Sequence, residues 1–118
     1  MPTTTALGHA AESRALEYLE ARGLKLVQRN FRCKAGEIDL IMRDGNLVCF
    51  VEVRMRQSKR HLSGAESITH SKIRKLIRAA GVYLQVSGIP VDAEYRFDVV
   101  SIGEDIEWIA GAFTAEGY

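Results

Sequence analysis

The sequence predicts one α/β domain, a mixed β-sheet of about five strands flanked by α-helices in the order αβββαββ. Three observations predict it. Two segments carry the apolar spacing of amphipathic helices, and short runs rich in β-branched and aromatic residues lie between and after them. At 118 residues, 47% hydrophobic and 26% charged, the chain has the size and balance of a single folded domain spanning residues 1–118, not of a disordered chain or a coiled coil.

The first helix is "TTALGHAAESRALEYLEARG". Gly8, Ala11, Glu12, Ala15, Leu16 and Leu19 fall along one side, His9, Ser13, Glu17 and Glu20 along the other, and Gly23 is a natural stop. "LKLVQRNFRC" reads as the first strand. "EIDLIMR" and "NLVCFVEVRM" follow as two strands of a hairpin, with Asp44-Gly45 as its turn. Met55 to Glu66 is polar, basic and glycine-containing, which predicts a loop. Thr69 is placed to cap a second helix whose Ile73, Leu76, Ile77, Ala80 and Leu84 form an apolar stripe, with Arg74, Lys75 and Arg78 directed away from it. "SGIP" ends that helix. "YRFDVVSI" and "IEWIAG" are the fourth and fifth strands, and residues 111–118 are expected to fray.

No stretch approaches the roughly 18 apolar residues of a membrane span, and the N-terminus lacks the layout of a signal peptide. A cytoplasmic protein without a membrane partner is the expectation. Cys33 and Cys49 have neither zinc-site spacing nor a disulfide framework and read as packing thiols. The net charge is only +1, but its distribution is uneven. Between residues 54 and 78 eight cations (Arg54, Arg56, Lys59, Arg60, Lys72, Arg74, Lys75, Arg78) face the single anion Glu66.

The hairpin poses a chemical problem. With Asp44-Gly45 as the turn, Arg43 pairs with Asn46, so Glu37 stands opposite Glu52, and Asp39 opposite Phe50 and diagonal to Glu52. Arg54 shares that face by alternation. Like charges in apolar company destabilise a strand pair unless something compensates. Arg54 could neutralise one acid. A divalent cation bridging Asp39 and Glu52 would neutralise two, and an all-oxygen set favours magnesium or manganese. Glu12, on the side of the first helix that faces the sheet, is as readily an edge glutamate as a ligand.

The combination of an acid on the first helix, Asp39 on the second strand and "EVR" on the third resembles the PD-(D/E)XK nuclease superfamily, in particular its Holliday-junction-resolvase-like members. "GEIDLIMRDGNLVCFVEVRMR", "ESITHSK" and "YRFDVVSI" resemble more closely the uncharacterised YraN-type protein family, from Gly8 to about Ile102. The superfamily resemblance implies a restriction-endonuclease-like core and magnesium- or manganese-dependent cleavage of DNA phosphodiesters. It assigns metal-ligand positions to Asp39 and Glu52, the accessory acid to Glu12 and the motif's basic position to Arg54. That position is ordinarily lysine. An arginine is no general base, though it can hold a phosphate through two hydrogen bonds.

Glu37 ranks below Asp39 and Glu52 as a metal ligand. Arg56, Lys59 and Arg60 are expected to contact the phosphate backbone, with Lys72 as a further contact or amine donor. A branched or structured DNA fits a small chain without a base-reading helix, and resolvase-like members imply a symmetric homodimer. The alternatives are a non-catalytic nucleic-acid-binding module of the same fold and a protein-interaction adaptor. His9, His61 and His70 lack ligand spacing. Asp98 is expected to pair with a cation or cap the sheet, Trp108 and Tyr83 to pack, and Phe31 and Tyr95 to pack or stack bases.

Overall fold

In the computed structural model, which describes residues 4–56, 68–90 and 92–118, the helical and strand periodicities become elements in the expected order. Helix α1 spans Thr4–Glu20. Gly23, in the left-handed region at φ 95°, ends it and lets the Leu24 amide donate to the Leu19 carbonyl at 3.1 Å. Strands β1 (Lys25–Cys33), β2 (Gly36–Asp44) and β3 (Leu47–Met55) follow. Helix α2 (His70–Val86) is capped by Thr69, whose hydroxyl accepts the Lys72 amide at 3.1 Å. Strands β4 (Tyr95–Ile102) and β5 (Ile106–Phe113) complete the chain.

The five strands form one mixed sheet in sequential order. Pairing is antiparallel except between β3 and β4, the two strands that α2 separates in sequence and that need such a crossover to run parallel. A helix covers each face. Ala11, Ala15 and Leu19 of α1 pack on Leu40, Met42, Cys49, Val51 and Val100. Leu76, Ala79, Ala80 and Tyr83 of α2 pack on Ile38, Ile41, Val48, Phe50 and Phe97. The two-sided burial of β3 explains its nearly unbroken apolar run.

Three expectations change. β5 continues through Gly111 to Phe113, and Phe113 stacks on Phe97 with centroids 4.9 Å apart, so burial of an aromatic ring holds a segment expected to fray. The hairpin turn is Gly45-Asn46 and not Asp44-Gly45, because Asp44 pairs with Leu47. Gly45 alone has a positive φ, 61°, which is the type II′ pattern with glycine at the first central position. Moving the turn by one residue shifts every cross-strand pair by two. Inward and outward sets keep their parity, but Glu37 is no longer opposite Glu52, and Ile41 rather than Asp39 stands opposite Phe50.

Asp98 is fully buried and paired, as expected. It accepts Arg96 Nε at 2.7 Å and Nη2 at 2.9 Å, Trp108 Nε1 at 3.0 Å and the Gly111 amide at 3.0 Å. These bonds sit where the β4–β5 register shifts between Phe97 and Val99, so the carboxylate replaces ladder partners that the irregularity removes. Trp108 is thus a donor as well as a packing residue. Cys33 and Cys49 are free thiols. Among the described residues no helix is long and apolar enough to cross a membrane.

Candidate functional site

Antiparallel pairing of β2 with β3 stops at Leu40 and Val51. Beyond that point β2 stays with β1 and β3 with β4, and the two central strands fork. The side-chain alternation of β2 slips at the same place. Leu40 and Met42 face α1, whereas Ile38 and Ile41, three residues apart, both belong to the α2 side, so Asp39 occupies the slip. Its Oδ2 accepts the Val53 amide at 2.8 Å. A ladder partner missing at the fork is replaced by a carboxylate.

That bond aims Asp39 at Glu52, with which it is in side-chain hydrogen-bonding reach. Glu52 is only 4% exposed. Burial, then the charge of Asp39 and their hydrogen bond, push the Glu52 carboxyl up to about 8, against partial relief from Lys72 and Arg54. Lys72 Nζ lies 3.7 Å and Arg54 Nη1 3.8 Å from Glu52 Oε2, both on half-exposed side chains. At neutral pH Glu52 therefore holds a proton beside Asp39 and between flanking cations.

Glu12 meets the fork from α1. It is 8% exposed, its carboxyl raised by burial and by Asp39, and Arg29 Nη2 stands 3.6 Å from its Oε1. Glu12, Asp39, Val53 and Arg54, with Gly8, Ala11 and Met55, line an open cleft of ≈ 280 Å³. Asn30 is the residue that sequence reasoning missed. It sits between Arg29 and Phe31, the β1 residues that pair with Leu40 and Ile38, and so lies level with Asp39. With its amide NH₂ turned toward the acids, it donates to Glu12 Oε1 at 3.1 Å and Glu37 Oε1 at 3.0 Å. Its backbone is left-handed, at φ 53°, the only such non-glycine residue among those described. Asparagine tolerates that conformation better than most residues, which is a weak signal in sequence.

Asp39, Glu52, Arg54, Glu12 and Lys72 are therefore brought together. Glu37 is set beside them. It pairs with Arg32 at 3.4 Å and reaches Glu12 through Asn30. Among the described residues no group of three His, Cys, Asp or Glu side chains converges in a way that could hold a metal ion, so Asp39 and Glu52 meet as a pair of oxygen donors. Arg56 is engaged elsewhere. Its amide donates to the Ile102 carbonyl at 2.8 Å and its Nη2 to the Asp105 carbonyl at 2.5 Å, laying the guanidinium over Gly103, where a Cβ would stand 2.7 Å from Nε. Lys59 and Arg60, with His61, lie outside the described residues.

Comparison with known proteins agrees on one family. The model of the uncharacterised protein family UPF0102 matches residues 11–102, which include every element of the fork. The UPF0102 protein of Shewanella loihica is 51% identical over 107 residues, 90% of this chain and 92% of that protein. Those of Alkalilimnicola ehrlichii and Ralstonia pickettii are 51% and 52% identical, covering 93% and 95% of this chain and 88% and 93% of their own length. The chain belongs to the UPF0102 family, the YraN-type family that its hairpin and "YRFDVVSI" resemble.

Proposed function

We propose that the chain is a divalent-cation-dependent nuclease acting on the phosphodiester bonds of DNA, branched or otherwise structured, with its centre at the β2–β3 fork. One observation carries the reading. Asp39 and a buried Glu52 meet beside an open cleft, and Glu52 holds a proton where a hard cation would favour its ionised form. Two acids are held against each other here, and Lys72 and Arg54 relieve the strain on Glu52 only in part, which leaves room for a cation ligand.

Magnesium or manganese fits this donor set. Magnesium is ordinarily held by one or two carboxylates, with waters and substrate phosphate filling the remaining positions, so a third protein acid is not required. Asp39 and Glu52 would hold it. When bound, such a cation neutralises phosphate charge and acidifies a coordinated water. The chain's own groups do the rest. The Val53 amide fixes Asp39, Arg54 and Lys72 offset negative charge gathering on the phosphate, and Glu12, held by Arg29 and Asn30, faces the same cleft as an acid able to position water.

The arginine at the motif's basic position favours a second reading, a nucleic-acid-binding module of the same fold without turnover. Lys72 bears on the choice, because its amine reaches Glu52 from α2, where Arg54 reaches it from β3. The test is incubation with labelled linear and branched DNAs in magnesium or manganese. Cleavage that disappears in Asp39→Asn and Glu52→Gln supports the nuclease reading. Cleavage indifferent to both substitutions removes the fork as its centre, and binding without cleavage under any metal selects the module.

A further inference from the structure

Helix α2 contains Lys72, Arg74, Lys75 and Arg78 and no aspartate or glutamate. Lys72 and Lys75 are three residues apart, as are Lys75 and Arg78, and Arg74 and Arg78 are four apart, so each cation has a like charge as its surface neighbour. That spacing destabilises an isolated helix, and no acid in the first turn compensates at the positive end of the helix dipole. Arg74, Lys75 and Arg78 are exposed, and among the described residues none of them forms an ion pair. A solvated helix face ordinarily mixes its signs. This one does not.

The rest of the fold adds to the ridge. The β1–β2 turn passes directly under α2, where a Cβ on Gly36 would stand 3.3 Å from the Lys75 Cβ and 3.4 Å from its carbonyl oxygen. Gly36 permits that approach, and exposed Lys34, two residues before it on the same turn and also without an ion pair among the described residues, adds its charge to that side of the fold. At its other end the ridge reaches the fork, because Lys72 Nζ is 3.7 Å from Glu52. From Lys72 to Arg78 the helix rises about 9 Å, the axial run of two to three phosphates of one duplex strand.

We infer that this outer ridge of α2, Arg74, Lys75 and Arg78 with Lys34 beside them, is the track for the phosphate backbone of duplex DNA leaving the fork. The inference rests on the nucleic-acid reading of the fork for its ligand class, but not on catalysis. Backbone contacts of this kind position a substrate without reading its bases.

The test is binding of the full chain to a labelled duplex of about 20 base pairs in EDTA across a salt series, with the triple variant Arg74→Gln, Lys75→Gln, Arg78→Gln. Each phosphate left without its cation takes about 0.9 off the slope of log affinity against log salt, so the slope of the triple variant should be shallower by about 2.7 and its binding at least about tenfold weaker near 0.1 M salt. The variant removes like-charge neighbours, so its melting temperature should equal or exceed that of the parent. A folded triple variant with parental affinity and slope overturns the track, as does a parent chain that fails to bind duplex at low salt. Retention of polyglutamate as tight as that of DNA would assign the ridge to an acidic protein and overturn it equally. Absence of cleavage in a separate assay with magnesium sinks the nuclease reading alone.

Discussion

The Asp39 carboxylate accepts the Val53 amide at 2.8 Å where β2 and β3 separate, so one side chain both closes a gap in the sheet and presents its charge to Glu52. The two roles separate by mutation. Asp39→Asn keeps an acceptor for Val53, whereas Asp39→Ala leaves that amide unpaired at a cost of about 1–3 kcal/mol. Urea denaturation in EDTA should therefore place Asp39→Ala clearly below the parent and Asp39→Asn near it. Equal stability of the two variants would show that the bond does not hold the fork.

A bound cation should stabilise the folded state by mass action. Magnesium or manganese is expected to raise the melting temperature of the parent and leave that of the double variant Asp39→Asn, Glu52→Gln unchanged. In EDTA the double variant should be at least as stable as the parent, since it removes two acids that oppose each other. Marked loss of stability in EDTA would identify a structural ion-pair network at the fork instead.

The raised Glu52 carboxyl sets a pH dependence. Between its ordinary 4.5 and about 8 the folded state holds a proton that the unfolded chain has released. The contribution of Glu52 to stability is then full below pH 4.5 and is lost as pH rises through about 8, on the order of a few kcal/mol in total. Glu12, also raised, contributes in the same direction. Denaturation profiles in EDTA should show the decline, and Glu52→Gln should flatten it. A profile that rises across this window contradicts the geometry.

Asn30 holds two acids apart with one amide. Asn30→Asp would place a third carboxylate between Glu12 and Glu37 and should be destabilising at about pH 7.5 and largely recovered at about pH 5, where carboxyls begin to protonate. Asn30→Gly, which accepts the φ of 53° and lacks the amide, should not show that recovery. Matching pH profiles for the two would mean that the amide makes no contact with the acids.

Asp98 is a different kind of buried acid. Its bonds to Arg96, Trp108 and Gly111 are internal to β4 and β5, so Asp98→Ala should cost about 3–5 kcal/mol by leaving the Trp108 and Gly111 donors without an acceptor and the Arg96 guanidinium with only its longer contact to Asp44 at 3.9 Å. Any variant that still folds should retain the metal-induced rise in melting temperature. Loss of that rise in a folded variant would connect the two carboxylate sites.

Local chemistry determined much of this protein. The periodicity of α1 and α2, the Thr69 cap and the apolar runs of β2, β3 and β4 are properties of neighbouring residues, so αβββαββ, the inward Glu12 and the pairing role of Asp98 were legible from the chain alone. Asp39 and Glu52 were legible as neighbours because a two-residue change in register only moves them between diagonal and direct positions across the same hairpin. The register itself was not, since it depended on which of two adjacent dipeptides around Gly45 took the positive φ. Tertiary structure alone decided the fork, because where β2 leaves β3 depends on competing pairing with β1 and β4, which are distant in sequence. It also decided Asn30, because Glu12 and Glu37, the two acids that meet its amide, come from α1 and β2. Arg56 passed to the β4–β5 turn for the same reason, since a guanidinium on a strand end bonds whatever carbonyls the fold brings to it.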